Sequence, residues 1–141
     1  MKKVAVIYWS GTGNTKMMAE AISEGAKAVG AEVSLLSVGE ASIEDVNNAN
    51  VVILGCPSMG AEVLEESEFQ PFYDECRNSL GGKTVGLFGS YGWGDGQWMR
   101  DWEEDVEGAG AQLLHGYLIL NETPDTAGLD ECRGYGQSLG M

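Results

Sequence analysis

The chain has 141 residues, enough for one domain, and 43% of them are hydrophobic, enough for a real core. A formal net charge of −14 makes nucleic acid and anionic membrane poor partners and favours basic protein surfaces. Charged residues are only 21% and strand-like apolar runs recur, so disorder is not implied, and no run is long enough to span a membrane.

Val4 to Trp9 is an unbroken apolar run, which predicts a strand covered on both faces. Lys2 and Lys3 precede it and Ser10 ends it, too short a stretch for a signal peptide. A helix is predicted from Asn14 to Val29, because Met18, Ile22, Gly25 and Val29 share one face, with Gly30 placed to end it. Glu32 to Val38 has the polar mix of an edge strand, and a short turn of helix follows around Ser42 to Val46. Val51 to Cys56 is apolar throughout and reads as a central strand.

A third helix begins near Ser67, with Phe69, Phe72, Tyr73, Cys76 and Leu80 at helical spacing and Pro71 tolerated in its first turn. Thr84 to Gly89 is the fourth strand. Gln97 to Ala109 is the fourth helix, with Trp98, Trp102, Val106 and Ala109 on its inner face. Gln112 to Leu120 is the fifth strand, with His115 inside its pattern and no role given to it. A helix from Thr126 closes the chain. Strands alternating with helices give an α/β fold of parallel βαβ units. The expected architecture is one domain over 1–141: a doubly wound five-stranded parallel sheet of order 2-1-3-4-5.

The stretch Ser10-Gly11-Thr12-Gly13-Asn14-Thr15 joins the first strand to the first helix. A strand, a tight loop of small and hydroxyl residues and a helix N-terminus together form an anion site, because the first-turn N–H groups and the helix dipole point at the ligand. Lys16 stands where a dinucleotide fingerprint needs Gly, and no Gly-Lys-Ser/Thr follows at P-loop spacing. The loop itself holds no Lys or Arg, so neutral donors carry the binding, which suits a terminal phosphate bound without a metal. In a sheet of this order ligands bind beyond the carboxyl ends of the strands, at the switch point between strands one and three. That rule selects Ser10 to Thr15, Pro57 to Glu62 and Ser90 to Gly96. These loops also hold Met59, Tyr91 and Trp93, which suit a flat aromatic system with a phosphate at its other end.

These stretches resemble the short-chain clostridial type of the flavodoxin family over nearly the whole chain. The likeness runs through Tyr8 to Thr15, Leu54 to Gly60, Glu62 to Ser67, Leu87 to Gly96 and Asn121-Glu122. It implies one non-covalently bound FMN and a low-potential carrier of single electrons, not an enzyme. It implies that Ser10, Gly11, Thr12, Gly13, Asn14 and Thr15, with Ser90, hold the phosphate, and that Trp9 just before them belongs to the cofactor site. Met59 and Trp93 would cover the two faces of the ring. Glu62 would accept from the ring N3–H, and the Gly60 carbonyl would turn toward N5–H when the first electron arrives. Pro57, Ser58 and Ala61 belong to the same middle loop, Tyr91, Gly92 and Gly94 to the pyrimidine-edge loop, and Asn121 lies near the ring. Glu62, Glu65, Glu66, Glu68 and Asp95 read as an acidic rim that lowers the second potential and steers basic redox partners, such as reductases or ferredoxin-utilising enzymes. A cytoplasmic monomer is expected, without nucleic acid or membrane insertion.

Other functions of this fold class fit less well. A receiver domain needs acidic residues after strands one and three, where Trp9-Ser10 and Cys56-Pro57 stand. A phosphatase of this architecture needs Cys in the first loop. An FMN enzyme reducing quinones with a nicotinamide donor is the runner-up, but the chain is short and has no insertion to build a nicotinamide site. A flavin-free binding module would ignore added FMN. Cys56, Cys76 and Cys132 form no C-x-x-C motif, and with a single histidine no metal site is expected.

Overall fold

Two apolar faces on each central strand require two helical layers, and the computed structural model, which describes residues 2–59, 63–92 and 94–141, has them. The elements are β1 (Lys3–Tyr8), α1 (Asn14–Ala28), β2 (Glu32–Ser37), α2 (Ile43–Asn47), β3 (Val51–Gly55), α3 (Phe69–Cys76), β4 (Thr84–Tyr91), α4 (Gln97–Gly108), β5 (Tyr117–Asn121) and α5 (Thr126–Gly140). A 3-10 turn at Arg77–Ser79 extends α3. All pairings are parallel, in the order β2-β1-β3-β4-β5. This is the expected doubly wound sheet, with β2 at the edge.

Alternation along the strands divides the core. Val4 and Val6 of β1, Val51 and Ile53 of β3 and Phe88 of β4 pack with Met18, Ile22, Cys132 and Leu139 of α1 and α5. Ala5, Ile7, Val52, Leu54 and Leu87 face the other way, onto Phe69, Tyr73, Trp98 and Trp102 of α3 and α4. The helices α1 and α5 approach so closely that a Cβ at Gly136 would lie 2.0 Å from the Ile22 carbonyl oxygen, and one at Gly25 2.0 Å from that of Arg133. Gly30, at φ 92°, ends α1 as its sequence position suggests.

Two strands differ from expectation. β4 runs on through Ser90 and Tyr91 instead of stopping at Gly89. That glycine is not a breaker; a Cβ there would sit 2.2 Å from the Cys56 carbonyl oxygen, so the strand needs Gly to pass its neighbour. The fifth strand is shorter than Gln112 to Leu120. Gln112 makes only an isolated bridge to Thr84, then Leu114 and His115 turn outward and Gly116, at φ 64°, brings the chain back at Tyr117. Tyr135 of α5 fills the gap. Its hydroxyl donates to the Gly116 carbonyl at 2.7 Å and accepts the Leu87 N–H at 2.9 Å. His115 is therefore an exposed turn residue.

Candidate functional site

The carboxyl ends of β1, β3, β4 and β5 open onto a cleft of about 440 Å³. That size suits a small-molecule site. From the first loop it is lined by Trp9, Gly11, Thr12 and Asn14, and from the second by Pro57, Ser58 and Met59. Ser90, Tyr91 and Gly92 close the third side, and Glu122 and Thr123, beyond β5, the fourth. The loops predicted from the switch-point rule thus share one cavity. Gly60, Ala61, Glu62 and Trp93 lie outside the described residues.

The first loop is prepared for an anion. Its helix starts at Gly13, in the left-handed region at φ 99°, with no side chain capping the first turn. The starts of α2, α3 and α5 carry their own acceptors, whereas α4, whose N-cap is Gly96, has no side-chain cap either but lies away from the cleft lining. The Asp125 carboxylate accepts the Gly128 N–H at 2.7 Å at the start of α5. Asp45 accepts both the N–H and the hydroxyl of Ser42 at the start of α2. A 15-residue helix without such an acceptor leaves its first-turn N–H groups and positive dipole end to a ligand. Ser10 Oγ accepts the Gly13 N–H at 3.1 Å and shapes the loop. Beneath it the buried Thr15 and Ser90 hydroxyls meet at 3.3 Å, and Thr15 Oγ1 also accepts the Ser90 N–H at 3.4 Å. Among the described residues no Lys or Arg lines the cleft. The donor set therefore fits a phosphate held by neutral groups. Ser10, Gly13 and Lys16 border a second hollow, and Trp9, Gly11 and Thr12 line both spaces.

The aromatic end is built differently. The Ser58 N–H donates to the Ser90 carbonyl at 3.1 Å and so ties the second loop to the third. Met59 and Val63 exchange both backbone hydrogen bonds, at 2.9 and 3.0 Å. The Tyr91 ring leans on Trp98, with centroids 5.7 Å apart. Asn121 does not line the cleft; its side-chain amide donates to the Tyr91 carbonyl at 3.2 Å and holds the third loop in place. Gly94 lies outside the lining too.

Sequence reasoning missed Glu122 and Thr123. The signal available was the short Asn-Glu-Thr-Pro turn at the carboxyl end of a strand, the same place as the other three loops. Glu122 has φ 55°, in the left-handed region that few residues other than Gly adopt, and its N–H donates to the Tyr91 carbonyl at 2.7 Å.

The acidic rim also needs correction. Glu65 is buried, and its carboxylate accepts the Ser67 hydroxyl and the N–H groups of Ser67, Glu68 and Phe69. It is the anion that caps α3, where the dipole favours it. Burial alone would raise its pKa, but the Ser67 hydroxyl and the three backbone N–H groups outweigh that and hold it at about 2. A carboxylate depressed this way stabilises the fold above the ordinary carboxylate range, and that contribution fades as pH falls toward 2. Glu68 is exposed, and its carboxylate accepts the Trp9 indole N–H at 3.2 Å. Asp95 pairs with Arg100 at 3.0 Å. Glu66 is left as an exposed carboxylate of this group.

Comparison with known proteins bears on the same residues. The flavodoxin family model matches residues 6–136. The chain belongs to the flavodoxin family. The flavodoxin of Clostridium beijerinckii is 48% identical over 134 residues, covering 95% of this chain and 96% of that one. The flavodoxin of Megasphaera elsdenii is 46% identical over 135 residues, covering 96% of each. The solution structure of the two-electron reduced Megasphaera elsdenii flavodoxin superposes with a TM-score of 0.90 at 45% identity, over 97% of this chain and 98% of that one. As a flavodoxin, the chain is an FMN-binding electron carrier rather than an enzyme, and a carrier has redox partners. Among the described residues no helix is long and apolar enough to cross a membrane.

Proposed function

We propose that the whole of 1–141 acts as one FMN-binding unit in the cytoplasm. In this reading it is a monomer that passes single electrons at low potential between basic-surfaced redox proteins, reductases or ferredoxin-utilising enzymes. The observation that carries the reading is the cleft at the switch point, with the uncapped start of α1 at one end and Met59 and Tyr91 at the other. Ser10 to Thr15 and Ser90 hold the phosphate. Met59 and Trp93 cover the ring, Tyr91 and Gly92 border its edge, and Gly60 and Glu62 supply its polar contacts. FMN bound there supplies a centre that accepts and releases electrons one at a time.

The charge of the chain serves this role in two ways. A net charge of −14 opposes placing further negative charge in the site, which lowers the potential for the second electron. It also draws basic partners to the surface, raising encounter rate more than affinity. The test against the quinone-reducing alternative is direct. The FMN-loaded chain alone is expected to show no steady oxidation of NADH with a quinone present, and turnover to begin when a flavin reductase is added. Steady oxidation by the chain alone would make it an enzyme.

A further inference from the structure

The stretches on either side of the Met59–Val63 backbone pair, one of which carries Met59 into the cleft lining, meet at one sulfur atom. Cys56 follows β3 directly and is 0% exposed. Every polar group it has is engaged. Its N–H donates to the Phe88 carbonyl at 3.1 Å, and its carbonyl accepts the Trp98 indole N–H at 3.3 Å. Its thiol donates to the Pro57 carbonyl at 3.6 Å, and its sulfur accepts the Glu65 N–H at 3.3 Å. Pro57 leads into Ser58 and Met59. Glu65 follows Val63 and Leu64, and its own carboxylate is fixed at the start of α3. Between these anchors Met59 and Val63 form their reciprocal pair. Burial pushes the thiol up to about 12, so it keeps its proton and can donate and accept at once.

We infer that Cys56 is a positioning residue: its sulfur bridges the chain leading into Met59 and the chain leading out of Val63, and so sets where Met59 stands in the cleft. The inference rests on the reading of that cleft as the FMN site. A cysteine that merely fills the core would affect global stability alone. A bridge predicts a local effect, confined to the Met59–Val63 pair and its flanks and passed to the cofactor beside Met59. Alanine removes both sulfur contacts while keeping the backbone ones. Serine keeps a donor and an acceptor at the same place.

The test uses the FMN-loaded full chain, the parent beside Cys56→Ala and Cys56→Ser. Amide hydrogen exchange is read at Met59, Val63 and Glu65, with Ile53 in β3 as the internal reference, and the first- and second-electron potentials are read on the same samples. Losing the bridge is expected to speed exchange at the three amides by about tenfold relative to Ile53. The ratio of the two one-electron equilibria is expected to change by about tenfold, which is 59 mV. Serine is expected to restore most of both. If Cys56→Ala does not fold, Cys56→Val fills the space without a hydrogen-bonding group and supplies the same comparison. Unchanged exchange and potentials in the variants that fold would overturn the inference. Failure of the parent to take up FMN is a different result. It would refute the reading of the cleft and leave the exchange data to judge the bridge.

Discussion

FMN is expected to bind one per chain and at least about 100-fold more tightly than riboflavin, with FAD also weaker than FMN. The reason lies at the start of α1. Its first turn has no side-chain acceptor, and no Lys or Arg among the described residues lines the cleft. A phosphate at this place supplies the missing acceptor and meets the positive end of the helix dipole. Hydrogen bonds to a charged group contribute about 1.5–3 kcal/mol each. Two of them therefore separate FMN from riboflavin by about 3–6 kcal/mol, or roughly a hundredfold to ten-thousandfold. FAD carries the same first phosphate but extends beyond it, into a loop whose hydroxyls and N–H groups close around a terminal one. Fluorescence titration of the apoprotein with the three flavins measures all of this. Equal affinity for riboflavin and FMN would remove the phosphate site from the account.

The largest effect on stability is expected where α1 and α5 cross. A Cβ at Gly136 would lie 2.0 Å from the Ile22 carbonyl oxygen and 3.1 Å from the Ala26 nitrogen, and these are backbone atoms that cannot swing aside. Gly136→Ala must push the helices apart and loosen the cluster around Met18, Ile22, Cys132 and Leu139. Overpacking typically costs about 1–3 kcal/mol, and against backbone that cannot move the upper end is expected, a fall in Tm of roughly 10 °C for a chain of this size. Gly134 is the internal control. It lies in the same helix, and a Cβ there would meet nothing within 4 Å. Gly134→Ala is expected to stabilise by about 0.5–1 kcal/mol, the helix propensity difference. Thermal unfolding of the two variants should therefore shift in opposite directions. A Gly136→Ala protein as stable as its parent would mean that the helices are not in backbone contact.

The sheet order and the three loops were legible in the sequence because they depend on patterns that neighbours in the chain display. Val4 to Ile7 and Val51 to Leu54 are apolar on both faces, and both strands are covered on both faces. What the sequence hid depends on neighbours in space. Gly89 looks like a strand end until the Cys56 carbonyl is seen against it. Gln112 to Gly116 has a strand composition, but the sheet closes there through the Tyr135 hydroxyl instead. Glu65 sits among other glutamates and reads as surface, whereas the open start of α3 draws its carboxylate inward. Glu122 lies in the resembling pair Asn121-Glu122, but neither it nor Thr123 carries a ligand signal of its own, and the position of β5 beside Tyr91 brings both to the cleft.

Stepwise anaerobic reduction of the FMN-loaded chain, followed by its visible spectrum, tests most directly that this flavodoxin hands on electrons singly. Two separate steps of one electron each are expected, the second at the lower potential, with a distinct spectrum between them. A single two-electron conversion from oxidised to fully reduced, with no spectrum of its own in between, would contradict single-electron transfer.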